Sequence, residues 1–287
     1  MMKFNFTKVI LAALVVCVFA SCNSKINKLI KTRDVYGIYY EGLNQFELKK
    51  YNKAVQLLSN VKQYVVGTVK EDSLAYYLST AYYKMGDFET SGQLFNDFRR
   101  TYGRSPFLED VEYMYTMSFY YSSLPANRDQ TSTERARVAI LEYISRYPNS
   151  VKADDMIGYS EELTQRLHDK EYINAKVYYN IGQYKSAVVA LQNALDKYPE
   201  SIHREELMLL ILKSNYIYAK NSFEQLQRDR FLVMMDAYYN YTAEYPDSNV
   251  KEVESMQAEA REVLAKYDDA EAQNIDNTDK ENGNKEE

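Results

Sequence analysis

The chain has 287 residues and is mildly acidic, with 35 Lys and Arg against 41 Asp and Glu and a formal net charge of −6. With no basic surplus to neutralise a phosphate backbone, nucleic acid is not an expected partner. Nine glycines, five prolines, 29 tyrosines and no tryptophan describe a helical chain poor in breakers, whose tyrosines are large amphipathic packing residues on half-wet surfaces.

Lys3 and Lys8 open the chain, residues 9–19 form an uncharged apolar run, and two small residues, Ala20 and Ser21, precede Cys22. Basic start, short apolar run and small-residue cleavage site are the layout of a secretory signal. The run is too short to span a bilayer, which takes roughly 20 residues. Val18-Phe19-Ala20-Ser21-Cys22 resembles a bacterial lipobox, departing from it at Phe19, where Leu or Val is usual. Residues 1–21 are therefore expected to be a removed signal peptide. Cys22 is expected to become the acylated N-terminus, bearing palmitate-type chains at the head of a tether over 22–33. Cys17 leaves with the signal, so no disulfide is expected and stability rests on packing.

Residues 34–267 read as one all-α domain, an α-solenoid of about five helix-turn-helix repeats. Three segments close alike: Arg146-Tyr147-Pro148-Asn149-Ser150, Lys197-Tyr198-Pro199-Glu200-Ser201 and Glu244-Tyr245-Pro246-Asp247-Ser248, with a weaker copy at Thr101-Tyr102-Gly103-Arg104-Ser105. Proline stops a helix, and the Ser or Asp beside it is placed to cap the next. Before these stops, Tyr83-Lys84-Met85-Gly86-Asp87-Phe88 and Tyr179-Asn180-Ile181-Gly182-Gln183-Tyr184 join helix to helix through a glycine turn. Leu48-Lys49-Lys50-Tyr51 is a version without glycine. Small residues (Gly42 with Ala54, Ser79 with Ser91, Ala175 with Ala187 and Ala194) let paired helices touch, and Tyr51, Phe88 and Tyr184 fill the space beside them. The pattern resembles the tetratricopeptide repeat (TPR), at a spacing wider than its minimal 34 residues.

The repeats run roughly 34–66, 72–105, 108–150, 154–201 and 205–248, with a capping helix near 249–267. Met234 makes the fifth degenerate. Residues 124–133 stretch the third and end in Thr131-x-x-Glu134, a capping box for a helix expected over 134–146. Each repeat leaves an apolar face that only a neighbour can cover, so the array is expected to be continuous. Residues 268–287 carry eight carboxylates against two lysines and one large apolar residue, Ile275. They cannot bury enough surface to order themselves and read as a disordered acidic tail.

No catalytic constellation is legible. His168 and His203 stand apart from each other and from any paired carboxylate, and Asp154-Asp155 and Glu161-Glu162 are sequence neighbours that read as solvated faces. No phosphate loop, dinucleotide fingerprint or nucleophile elbow occurs. No metal, cofactor or enzymatic activity is expected.

A solenoid usually binds through its concave face. With Ala54 and Ser91 at the twentieth repeat position, that face takes Tyr39, Leu43, Phe46 and Glu47 from the first repeat and Tyr76, Thr80, Tyr83 and Lys84 from the second. Four aromatics in one groove suit an extended, aromatic-rich peptide, with Lys84 available to a carboxylate. The same tyrosines are equally consistent with packing between repeats.

Lipobox, repeats and closures together resemble the BamD family, lipoproteins of the outer-membrane β-barrel assembly machine. The most specific stretches are Tyr113-Met114-Tyr115, Arg128-Asp129 with Glu134-Arg135-Ala136-Arg137 leading into residues 146–150, and Lys170-Glu171-Tyr172 with Tyr178-Tyr179 before Asp196-Lys197-Tyr198-Pro199. Departures are the glycine-free first turn, Gly103 in place of proline, and the acidic tail. The resemblance implies a non-catalytic scaffold held by its lipid on the periplasmic face of the outer membrane. It implies binding of the barrel-forming subunit BamA, of other machine subunits, and of targeting peptides of unfolded outer-membrane proteins in the N-terminal repeats. The alternative is another periplasmic TPR lipoprotein that coordinates cell-envelope enzymes. A glycan receptor of the SusD type would be longer and would use tryptophan.

Overall fold

The computed structural model describes residues 27–283, with side chains from 27 to 269. The expected signal peptide and Cys22 lie outside the described residues. Twelve α-helices follow one another: α1 (27–32), α2 (Val35–Glu47), α3 (Tyr51–Val61), α4 (Glu71–Lys84), α5 (Phe88–Thr101), α6 (Leu108–Ser122), α7 (Thr131–Arg146), α8 (Ala153–Asn180), α9 (Tyr184–Lys197), α10 (Arg204–Lys220), α11 (Glu224–Glu244) and α12 (Val250–Gly283). A 3-10 turn, Lys62–Tyr64, follows α3, and the described residues contain no strand. The fold is all-α and built from TPR-like helix hairpins.

Two compact units emerge. The first takes 27–124 and 130–163, and the second takes 125–129 and the chain from Thr164. Helix α8 begins in one and ends in the other. The fourth repeat therefore lacks an ordinary first helix. The N-terminal part of α8 places Met156 and Leu163 in the core with Met117, Ile140 and Tyr143. Its C-terminal part places Ala175 in the core of the second unit with Ala187, Leu191 and Leu212.

The hairpin turns share one chemistry. Gly86 (φ 80°) and Gly182 (φ 74°) are left-handed. The next residue's N–H returns to a carbonyl near the helix end, Asp87 to Tyr82 (3.1 Å) and Gln183 to Tyr178 (2.9 Å). This is the Schellman termination, which satisfies carbonyls that the helix leaves open. The glycine-free turn is built identically: Lys50 N–H donates to Gln45 (2.8 Å), and Lys49 itself takes φ 57°. A β-carbon makes that conformation costly.

Within the first unit, Gly42 lets α3 approach, since a β-carbon there would stand 2.8 Å from Leu58 Cδ2. Ser91 and Gly92 do the same for α6, where Ser91 Oγ meets Ser118 Oγ at 3.0 Å. Ser91 thus serves contact with the following repeat. Phe95, Phe98 and Leu58 are fully buried, each contributing about 1.5–3 kcal/mol of transfer free energy.

The Tyr-Pro-x-Ser closures end α7, α9 and α11 as expected, with Tyr147, Tyr198 and Tyr245 as C-caps. Their serines do not cap the following helix. The backbone N–H groups of Lys152 and His203, preceding α8 and α10, donate a turn bond to Ser150 Oγ and Ser201 Oγ. Two of the serines instead reach back to the first turn of the same repeat, Ser150 to Glu109 and Ser248 to Glu205, as Ser105 does to Asp72 in the weaker copy. Acidic residues favoured by the helix dipole double as acceptors for the far end of the hairpin.

Two boundaries differ from the expectation. Helix α7 starts at Thr131, a turn earlier than 134, because buried Gln130 anchors the loop: its amide donates to Leu124 O (3.4 Å) and its oxygen accepts from Thr133 (2.7 Å). Thr131 is therefore inside the helix and forms no capping box. The backbone of α12 stays helical to Gly283, through the segment expected to be a disordered tail. That stretch has no proline to stop the helix, although Asp and Asn, which favour a helix less, outnumber its Ala, Gln and Glu. At the other end, the expected tether contains α1.

Candidate functional site

Helices α2 and α4 carry all the expected groove residues, and the structure sorts them by depth. Tyr39 is 2% exposed, packs with Ile38, Leu58 and Leu74, and donates its hydroxyl to Ser73 Oγ at 3.0 Å. Thr80 is 3% exposed, with its hydroxyl 3.8 Å from Met114 Sδ. Neither has surface left to offer a ligand in this conformation. Leu43, Phe46, Tyr76 and Tyr83 are half-buried, while Glu47 and Lys84 are exposed.

The half-buried rings do not stand alone. Phe46 meets Tyr51 edge-on at 5.4 Å and Tyr77 at 5.1 Å; Tyr77 meets Tyr76 at 5.2 Å; and Tyr76 stacks on Phe107 at 4.3 Å. This ladder runs from the first hairpin to the start of α6. A second ladder joins Tyr83 to Phe88 (5.5 Å) and Tyr121 (6.3 Å), then continues through Tyr120 to Tyr159. Each ring pair adds about 0.5–1.5 kcal/mol beyond area burial. Tyr83 therefore belongs to a different ladder from Tyr76. Repeat spacing does not single out Tyr77 and Phe107, although Phe107 directly follows Ser105-Pro106, where a repeat closes.

Burial, and then Asp110, raises the Tyr76 phenol above its ordinary value. Burial, and then Tyr121, raises Tyr83. Tyr77 is raised by burial and then by Glu47. These phenols stay neutral at physiological pH, as apolar faces with a hydroxyl donor. Lys84 Nζ lies 5.9 Å from the Tyr83 ring centre, and its side chain is exposed.

Elsewhere in the first unit, Glu112 is buried and held by Arg99 (Nε 3.5 Å) and Arg146. Arg99 also pairs with Glu142 at 2.9 Å and lies over the Tyr115 ring at 4.3 Å. In the second unit, His203 Nε2 lies 2.7 Å from Asp169 Oδ1 and stacks on Tyr172 at 4.0 Å; buried His168 packs against Tyr198. Asp154-Asp155 and Glu161-Glu162 are exposed. Among the described residues no group of three or more His, Cys, Asp or Glu is arranged to hold a metal, and no helix is long and apolar enough to cross a membrane.

Residues 32–229 match the family model of YfiO, outer membrane lipoprotein. Outer membrane protein assembly factor BamD of Caulobacter vibrioides is 22% identical over 215 residues, covering 71% of this chain and 68% of that protein. Its counterpart in Rickettsia prowazekii is 21% identical over 211 residues, covering 73% and 84%. Among solved structures, the TPR2AB-domain:pHSP90-complex of yeast Sti1 aligns at TM-score 0.37 and 10% identity, over 80% of this chain and 99% of that one.

Proposed function

Because the chain belongs to the YfiO family of outer membrane lipoproteins, we propose that it is a non-catalytic scaffold of outer-membrane protein assembly. It is anchored by an acylated Cys22 on the periplasmic face, and it binds BamA and the targeting peptides of unfolded barrel proteins. The two relatives named as assembly factors BamD support the process.

The observation that carries peptide binding is the aromatic ladder Phe46–Tyr77–Tyr76–Phe107. Half-buried rings pack laterally on one another and leave faces for an incoming side chain. Leu43, Phe46, Tyr76 and Tyr83 receive the aromatic residues of the peptide, and Lys84 takes its terminal carboxylate. Tyr39 and Thr80 hold the helices that present them.

A fluorescent peptide ending in Phe tests the groove. The double variant Tyr76→Ala/Tyr83→Ala is expected to bind it at least about tenfold more weakly, in line with the loss of two aromatic contacts, with its helical signal intact. Unchanged affinity would return both rings to a packing role. In intact cells, crosslinking is expected to recover BamA; recovery of division or cell-wall proteins in its place would favour the alternative scaffold.

A further inference from the structure

At one end of the first unit, two segments carry charge of a single sign. Residues 27–33 hold Lys28, Lys31 and Arg33 and no acid; residues 62–70 hold Lys62 and Lys70 and no acid. The segments are neighbours: Leu29 packs on the core cluster that contains Val65, and Lys70 Nζ lies 4.8 Å from the ring centre of Tyr40 on α2. None of the five cations forms an ion pair among the described residues. The nearby carboxylates are engaged: Asp34 accepts from Gly37 N–H, Glu71 from Gly67 N–H and Tyr102, and Asp72 from Ser105.

Apolar side chains stand among these cations with little cover. Val69 is 94% exposed, Val66 64%, Tyr64 60% and Tyr36 52%, and Ile30 on α1 is 44% exposed. Scattered exposed apolar residues are ordinary, but a cluster rimmed by one sign of charge marks an interaction surface. In a chain of net charge −6, unpaired cations around exposed valines and tyrosines match an anionic phospholipid surface. Lysines meet the headgroups, tyrosines sit at the interface, and valines enter the acyl boundary. Cys22 precedes this patch by a few residues of chain.

We propose that α1 and the 62–70 loop form a second, electrostatic contact with the bilayer, selective for anionic phospholipid, which sets the orientation of the first unit on the membrane. Acyl chains alone leave a protein free to swivel; a fixed basic and apolar patch does not. The proposal rests on the Cys22 anchor only for proximity to the membrane.

The chain has no tryptophan, so Val69→Trp supplies a single reporter. The protein is purified from membranes, its acylation is measured by mass, and it is placed in vesicles of phosphatidylcholine with or without phosphatidylglycerol. With phosphatidylglycerol, the reporter is expected to shift to the blue and to be quenched by brominated lipid. A Phe223→Trp control, 83% exposed in the second unit, is expected to do neither. Each basic residue contributes about fivefold to such binding. Lys28→Gln/Lys31→Gln/Lys62→Gln should therefore lower the docking equilibrium constant roughly a hundredfold and abolish quenching, with an unchanged melting curve. An acylated protein whose reporter stays in water, or is quenched equally without anionic lipid, overturns the proposal, as does a patch that captures an acidic protein and ignores vesicles. A protein found unacylated refutes the anchor alone, because the quenching comparison still applies to it.

Discussion

Ser150 Oγ donates to Glu109 Oε1 at 2.8 Å, tying the chain after α7 to the first turn of α6. Tyr143 joins them, its hydroxyl 2.9 Å from Ser150 Oγ and 3.3 Å from Glu109. Ser150→Ala is expected to cost about 1 kcal/mol, the usual worth of one hydrogen bond. Glu109→Ala removes the acceptor of both hydroxyls and should cost more. Urea unfolding measures both, and equal stability of all three proteins would show the closure to be incidental.

Alkaline pH tests the same device. Burial and neighbouring carboxylates push Tyr102 and Tyr143 up to about 12 from an ordinary value of 10.0. A raised folded value means that these phenols favour folding while protonated. Their contribution is complete below about pH 10 and is lost as pH rises toward 12. The melting temperature should fall across that window, and Tyr102→Phe/Tyr143→Phe should flatten the fall.

Glu112 is a buried charge of the first unit held by two arginines. Its loss leaves Arg99 half-buried with only Glu142 beside it, and Arg146 without a carboxylate partner. Glu112→Ala is expected to destabilise by about 3 kcal/mol or more. Arg146→Ala should cost less, since Arg99 remains. Urea unfolding of the two variants gives the order, and the reverse order would contradict this account.

Lys49 bears the left-handed conformation that glycine bears in the matching turns. Lys49→Gly should stabilise by several tenths to about 1 kcal/mol, whereas Gly86→Ala and Gly182→Ala should each cost about 1 kcal/mol. Thermal melts of the three decide whether the turns are equivalent.

Depth separates folding from binding on α2 and α4. Tyr39→Ala, at a site 2% exposed, should cost about 3–5 kcal/mol. Lys84→Ala, exposed, should leave stability within about 0.5 kcal/mol and change only peptide affinity. A Lys84→Ala protein that melts like Tyr39→Ala would remove Lys84 from the groove.

Helix class, hairpin turns and repeat closures were legible because each rests on local chemistry: Gly86 and Gly182 permit a left-handed turn, Pro148, Pro199 and Pro246 stop a helix, and small residues mark close contacts. The groove was legible in part. Spacing identifies the face a residue belongs to, yet Tyr39 and Thr80 share that face with Phe46 and Lys84 and lie beneath it. Depth depends on how closely the next helix approaches.

The sequence by itself determined where the helices turn and end, because those choices are made within a few residues of backbone. Only the tertiary structure decided that two of the closure serines, Ser150 and Ser248, bind carboxylates some 40 residues back, that α8 divides its two parts between separate cores, and that Tyr76 and Tyr83 belong to different ladders. Those pairings depend on the distance and angle between packed helices, and the side-chain volumes between the helices set both.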